Sequence, residues 1–126
     1  MPPSAAPNLQ SIYSFHSPAL NDYAHSTIEA SITTLFDGKR YDPTTIADQT
    51  TQLNKKVVEL LARACGNFKY VSTAIVTENV GGGKEGERDF VVDTCCCWSA
   101  ETDDVVDVVW KSEEMSVAVQ LFATLI

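Results

Sequence analysis

The sequence predicts an α+β fold in which two helices pack on a four-stranded antiparallel sheet. Three observations carry that prediction. Apolar residues recur every three or four positions through much of the first half. The second half turns to β-branched and aromatic residues in short runs separated by polar turns. The final stretch, 97–126, sets Trp98 and Trp110 on either side of an acidic turn and closes on an apolar strand that runs to Ile126.

Residues 1–17 are rich in Pro, Ser and Ala, with scattered apolar side chains at Leu9, Ile12, Tyr13 and Phe15, and are read as a mobile or loosely docked N-terminal tail. The domain is expected to occupy 18–126. Its first helix begins after Pro18, where Leu20, Ala24, Ile28, Ile32, Leu35 and Phe36 form one apolar face, and Gly38 ends it. The second helix has a start signal in Asp42-Pro43-Thr44-Thr45, an Asp cap with Pro in the first turn. Ile46, Leu53, Val57, Leu60, Leu61 and Ala64 then make a stripe, with Gly66 placed as a C-terminal cap. Both helices are apolar on one side only, so both require a surface to lie on.

The second half supplies it. The first strand is expected over 68–78, followed by a Gly-rich, charged loop over 79–89. A second strand over 90–99 places Phe90, Val92, Thr94, Cys96 and Trp98 on one face. A third, over 105–111, groups Val106, Val108 and Trp110. The fourth runs over 115–126, and its odd positions are almost wholly apolar. Its even positions are mixed but include Ala118, Phe122 and Ile126. Two helices cover one face of such a sheet. The partly apolar second face needs another cover, and a second copy of the chain is the simplest one.

At 126 residues the chain suits one domain, and a hydrophobic share of 44% is ordinary for a folded protein. A formal charge of −8 disfavours nucleic acid and anionic membrane surfaces and favours basic peptides. No apolar run approaches the roughly 20 residues that span a bilayer. The N-terminus lacks a basic segment followed by an apolar one. A cytoplasmic, reducing location is therefore expected, with Cys65, Cys95, Cys96 and Cys97 as free thiols.

Catalytic and cofactor readings fail on residue type and spacing. Gly81-Gly82-Gly83-Lys84 suggests a phosphate loop, but position 78 is Glu rather than Gly, Glu85 follows the lysine, and a strand rather than a helix comes next. Neighbouring residues on a strand point to opposite faces, so only Cys95 and Cys97 share a side. His16 and His25 stand apart, leaving too few ligands for a zinc site. The acids Asp48, Glu59, Asp93, Asp107, Glu101, Asp103 and Asp104 are scattered as solvated charges are. No cofactor and no metal are expected. A small enzyme using a Cys95 or Cys97 thiolate is the alternative from another class, and it needs electropositive surroundings that this acidic region does not offer.

Phe68-Lys69-Tyr70 leading out of the second helix, Asn79-Val80-Gly81, Cys96-Cys97-Trp98, Thr102-Asp103, Val109-Trp110, Met115 and Phe122 with Ile126 follow one another as in the Tctex-type dynein light chains, which this chain resembles over 43–126. Asp104 replaces a usual turn glycine and Gln49 a usual aromatic residue, and the loop after Gly81 is longer. The resemblance implies a strand-exchanged dimer without catalytic activity, in which 90–98 completes the sheet of the other protomer. It implies that the dynein intermediate chain adds as a strand to the exposed edge, along Phe90, Val92, Asp93, Thr94, Cys95, Cys96 and Cys97, with Gln52 and Lys56 of the neighbouring helix beside it. Trp98, Ala118, Phe122 and Ile126 are implied at the dimer interface. An axonemal or ciliary light chain, heterodimeric with a related chain, is the alternative within the same class.

Overall fold

The structure, a computed structural model, describes residues 9–79 and 99–126. Helix α1, Pro18–Phe36, opens with Pro in its first turn, where the missing N–H costs nothing. It buries Leu20, Ala24, Ile28, Ile32 and Phe36, a single stripe at helical spacing. The Asp37 N–H still reaches Thr33 O at 3.0 Å, and Gly38 then adopts φ 72°. A Cβ at position 38 would meet nothing within 4 Å, so Gly38→Ala should cost only its backbone strain, about 1 kcal/mol. Urea titration checks this. A neutral result would mean that the turn can relax out of the left-handed region.

Helix α2, Ile46–Ala64, starts later than its cap signal suggests. The Asp42 carboxylate accepts the Thr44 N–H at 2.9 Å and the Thr44 hydroxyl at 2.7 Å. The Asp42 carbonyl takes the N–H groups of Thr45 and Ile46. Asp42 therefore caps a turn that feeds the helix rather than the helix itself. The Thr44 bonds hold its carboxyl below the ordinary value. The buried stripe is Leu53, Val57, Leu61 and Ala64. Gly66 does not supply a left-handed cap: Cys65 ends the helix in extended conformation at φ −148°, and the Gly66 N–H donates to Gln10 Oε1 at 2.9 Å.

From there the chain enters strand β1, Phe68–Glu78. Strands β2, Asp104–Lys111, and β3, Met115–Leu125, form a hairpin over Ser112–Glu114. The described strands make a three-stranded antiparallel sheet in the order β1-β3-β2. This corrects the expected four-stranded, strand-exchanged arrangement: among the described residues the sheet has three strands, all from one chain, with β3 paired along both sides. The stretch expected as a further strand, 90–98, lies outside the described residues. Helix α2 packs over β1, and α1 packs over β2.

The register gives each face its content, since directly opposed residues share a side. Towards the helices, Ala74 opposes Val119, which opposes Val108. Val76, Val117 and Trp110 form the next row, and Ser72, Leu121 and Val106 the one before. Val106, Val117, Val119, Leu121 and Met115 are buried against Leu20, Ile28, Ile32, Leu53, Val57 and Leu61. The period-two pattern read for the last two strands is the one observed.

Residues 9–17, in the stretch read as a tail, form a strap across one end of the domain. Phe15 is fully buried and packs edge-on against Phe68 at a centroid distance of 5.5 Å and Tyr70 at 6.2 Å. The Leu9 N–H donates to Ala64 O, and the Asn67 side-chain amide donates to Gln10 O and Ile12 O. At its other end the Phe15 N–H donates to Thr102 O and the Ser14 hydroxyl to Glu101 O. The strap thus joins the α2–β1 turn to the turn that opens β2. Under it, the Tyr70 hydroxyl donates to Cys65 O at 2.7 Å, and burial pushes the phenol's pKa up.

Candidate interaction surface

The sheet face turned away from the helices is built in rows by the same register. Val71, Phe122 and Val105 form one row across the three strands. Ile75, Ala118 and Val109 form another. Between them lies a polar row of Thr73, Gln120 and Asp107. Val71 is 57%, Ile75 50% and Val109 40% exposed, which is unusual for large aliphatic side chains gathered on one surface. Ala118 and Phe122, expected at an interface, both belong to this face, and Ala118 is already buried among its neighbours. Ile126 follows β3 and is exposed, with its N–H donated to Asn67 O.

Among the described residues, β1 and β2 each pair only with β3, which makes them the outer strands of the described sheet. Strand addition takes place at the outer strands of a sheet. Phe90, Val92, Asp93, Thr94, Cys95, Cys96, Cys97 and Trp98 lie outside the described residues. Gln52 is exposed on α2. Lys56, one turn on, lines a shallow groove between the helices with Leu60, Ser26, Thr27, Ala30, Ser31 and Thr34. Because α2 lies over β1, both residues stand on the β1 side of the molecule rather than over β2.

The turn acids separate into two kinds that spacing did not distinguish. Glu101 is exposed, whereas Asp103 is only 6% exposed. Asp103 Oδ1 accepts the Leu125 N–H at 3.0 Å and the Thr102 hydroxyl at 2.9 Å, and Oδ2 accepts the Thr124 hydroxyl at 2.9 Å. The carboxylate thereby fastens the entry of β2 to the end of β3. The Leu125 N–H foremost, with the Thr124, Thr102 and Ser99 bonds, holds its pKa below the ordinary 3.8, although burial acts the other way. A depressed folded value means that the ionised group stabilises above about pH 4 and loses that contribution as pH falls below 3.8. Asp103→Asn should therefore be less stable than the parent at pH 7, with the gap closing in acid. Parallel urea-midpoint curves for the two proteins from pH 7 to pH 2 would remove Asp103 from this role.

Other polar groups are structural. Asn79 donates to Ser112 O and accepts the Ser116 hydroxyl, tying the end of β1 to the hairpin. His16 Nε2 lies 2.8 Å from Ala100 O, and Nδ1 lies 3.4 Å from Asp104 Oδ2. Cys65 is a buried free thiol whose Sγ donates to Ile12 O at 3.6 Å. Among the described residues no group of three His, Cys, Asp or Glu side chains could hold a metal ion, and no helix is long and apolar enough to cross a membrane. What the described surface offers is sheet: one partly apolar face and two outer strands.

A family model described as the Tctex-1 family matches residues 14–124, nearly the whole described chain. The chain belongs to the Tctex-1 family. The match begins one residue before Phe15, so it takes in the inner part of the strap, both described helices and the three described strands but for the last residue of β3. Within this Tctex-1 domain, similarity to a "Dynein light chain Tctex-type" of Drosophila melanogaster amounts to 25% identity over 101 residues, covering 80% of this chain and 86% of that protein.

Proposed function

We propose that this chain is a non-catalytic dynein light chain of the Tctex type, a dimeric adaptor that takes up an extended segment of the dynein intermediate chain by strand addition. Family membership over 14–124 carries this reading. The surface supports it on physical grounds. Main-chain groups along a free strand edge provide affinity for an extended peptide, and the side chains beside the edge select among sequences. The partly apolar second face, with Ala118 and Phe122 on it, suits a second copy of the chain. Two copies would hold two intermediate chains, and tethering raises effective concentration without adding contacts.

The peptide is assigned to the segment Phe90–Cys97 together with Gln52 and Lys56 on α2, and Trp98 and Ile126 are assigned, with Ala118 and Phe122, to the dimer interface. The protein works in the cytoplasm on the microtubule motor. Affinity capture from the native cell with mass spectrometry should recover dynein heavy and intermediate chains. Their absence would sink the motor assignment. Calorimetry with an intermediate-chain peptide should show binding lost when Pro replaces an outward-bonding residue between Phe90 and Cys97, because Pro removes a ladder donor. Binding that survives every such Pro would move the site elsewhere. A basic peptide should also bind more weakly as salt rises, given the net charge of −8.

A further inference from the structure

We infer that Ser14, Phe15 and His16 of the strap are positioning residues for the intermediate-chain peptide. They hold the turn at 99–102, which directly follows the peptide segment in the chain, so strap docking and peptide binding strengthen one another. The inference rests on the assignment of the peptide to 90–97 and adds what governs that site. Three consecutive strap residues meet three consecutive carbonyls of the turn. His16 Nε2 stands 2.8 Å from Ala100 O, the Ser14 hydroxyl donates to Glu101 O at 2.9 Å, and the Phe15 N–H donates to Thr102 O at 2.8 Å. A carbonyl only accepts, so Nε2 carries the proton in the first contact. The Ser14 hydroxyl oxygen also accepts the His16 N–H at 3.3 Å, which ties the two side-chain bonds together.

Ser99, Ala100 and Glu101 are exposed, so apolar burial gives the turn little hold. Its internal bonds, from the Thr102 and Asp103 N–H groups to Ser99 O, set its shape but not its place. Placement comes from two sides. Asp103 fastens the end that enters β2 to the end of β3. The strap holds the carbonyls before it, on the side that continues back into the peptide segment. The strap is itself anchored away from this turn: Phe15 packs against Phe68 and Tyr70, and the Leu9 N–H reaches Ala64 O at the end of α2. It therefore fixes the turn relative to α2, the helix that carries Gln52 and Lys56. These are the two places to which peptide contacts are assigned, and holding them at a set spacing before binding lowers the ordering cost that the peptide meets. Residues 9–13, the part of the strap that reaches α2, lie outside the family match, which begins at 14. Coupling between two sites is reciprocal, so a peptide that binds better to the strapped chain must also tighten the strap.

Calorimetry and hydrogen exchange with the intermediate-chain peptide test this on the full chain, with urea titration grading the stability of each variant. Ser14→Ala combined with His16→Ala removes both side-chain bonds to the turn and leaves the buried Phe15 in place. It should weaken peptide binding at least about fivefold. Gly38→Ala is the control, because Gly38 follows the end of α1 remote from the strap, and it should bind as the parent does. Equal weakening in the control and the double variant would trace the effect to lost stability alone and overturn the inference. In the parent, saturating peptide should slow exchange at the Phe15 amide, the donor to Thr102 O, at least about fivefold relative to amides in the middle of α1. That measurement needs no substitution, so it decides the matter should the double variant fail to fold. Unchanged protection at Phe15, or a folded double variant that binds as the parent does, would overturn the inference and leave the peptide assignment standing. A parent chain that binds no peptide would overturn the assignment, and this inference with it.

Discussion

Val108→Asp is expected to remove much of the folded state's stability. Val108 is buried on the helix side of β2, directly opposite Val119, which itself opposes Ala74 on β1. A carboxylate there would lie between the sheet and α1 with aliphatic neighbours in its own row and in those on either side. Leaving a charge buried without a partner costs about 3–5 kcal/mol, and a typical domain has only about 5–15 kcal/mol in total. The neighbouring residue is the control. Val109 points to the open face, so Val109→Asp should change the stability of the folded chain by under about 1 kcal/mol and act instead on self-association. Thermal melts of the two variants at low concentration decide the matter. Equal midpoints would mean that the strand parity is wrong.

That parity was legible because strands alternate strictly. Val106, Val108 and Trp110, and the odd positions from Met115 to Leu125, are apolar throughout, while the positions between them are broken by Asp107, Ser116, Gln120 and Thr124, so only one parity suits the core. Both helix stripes were legible for the same reason, at their own period. What could not be read is whatever depends on residues distant in sequence. Gly66 follows the last apolar residue of α2 as a capping glycine would, yet its N–H goes to Gln10, far upstream, and no left-handed turn is needed. Asp103 sits in a run of acids and looks solvated, but its partners, Leu125 and Thr124, are supplied by the far end of the next hairpin strand. The further strand was inferred from a pattern over 90–99, of which 90–98 lie outside the described residues, and the sheet of the described residues has three strands. For the surface, the even positions of the last strand pointed to a second apolar face. The polar row through its middle required the cross-strand register, which no single strand reveals.

Phe15→Ala should cost about 3–5 kcal/mol, the second large effect, because it empties a fully buried aromatic position. No signal near Phe15 marks it as core: Ser14 and His16 flank it, and it stands alone before the first helix. Its place is set by the other side of the molecule, where Phe68 and Tyr70 make two walls of its pocket and Thr102 O fixes its backbone. The loss should also spread along the strap. Leu9 is held at the end of α2 by its N–H bond to Ala64 O, Gln10 bonds Arg63 O, the Gly66 N–H and the Asn67 amide, and Phe15 is the one large buried side chain between Ile12 and α1 that anchors them. In Phe15→Ala, hydrogen exchange at the Leu9 and Gly66 amides should therefore rise far more than at the α1 and β3 amides, once the lower global stability is taken into account. A loss below about 1 kcal/mol in urea, with Leu9 and Gly66 still protected, would show that the hydrogen bonds alone hold the strap. The aromatic cluster would then be packing that the domain can do without.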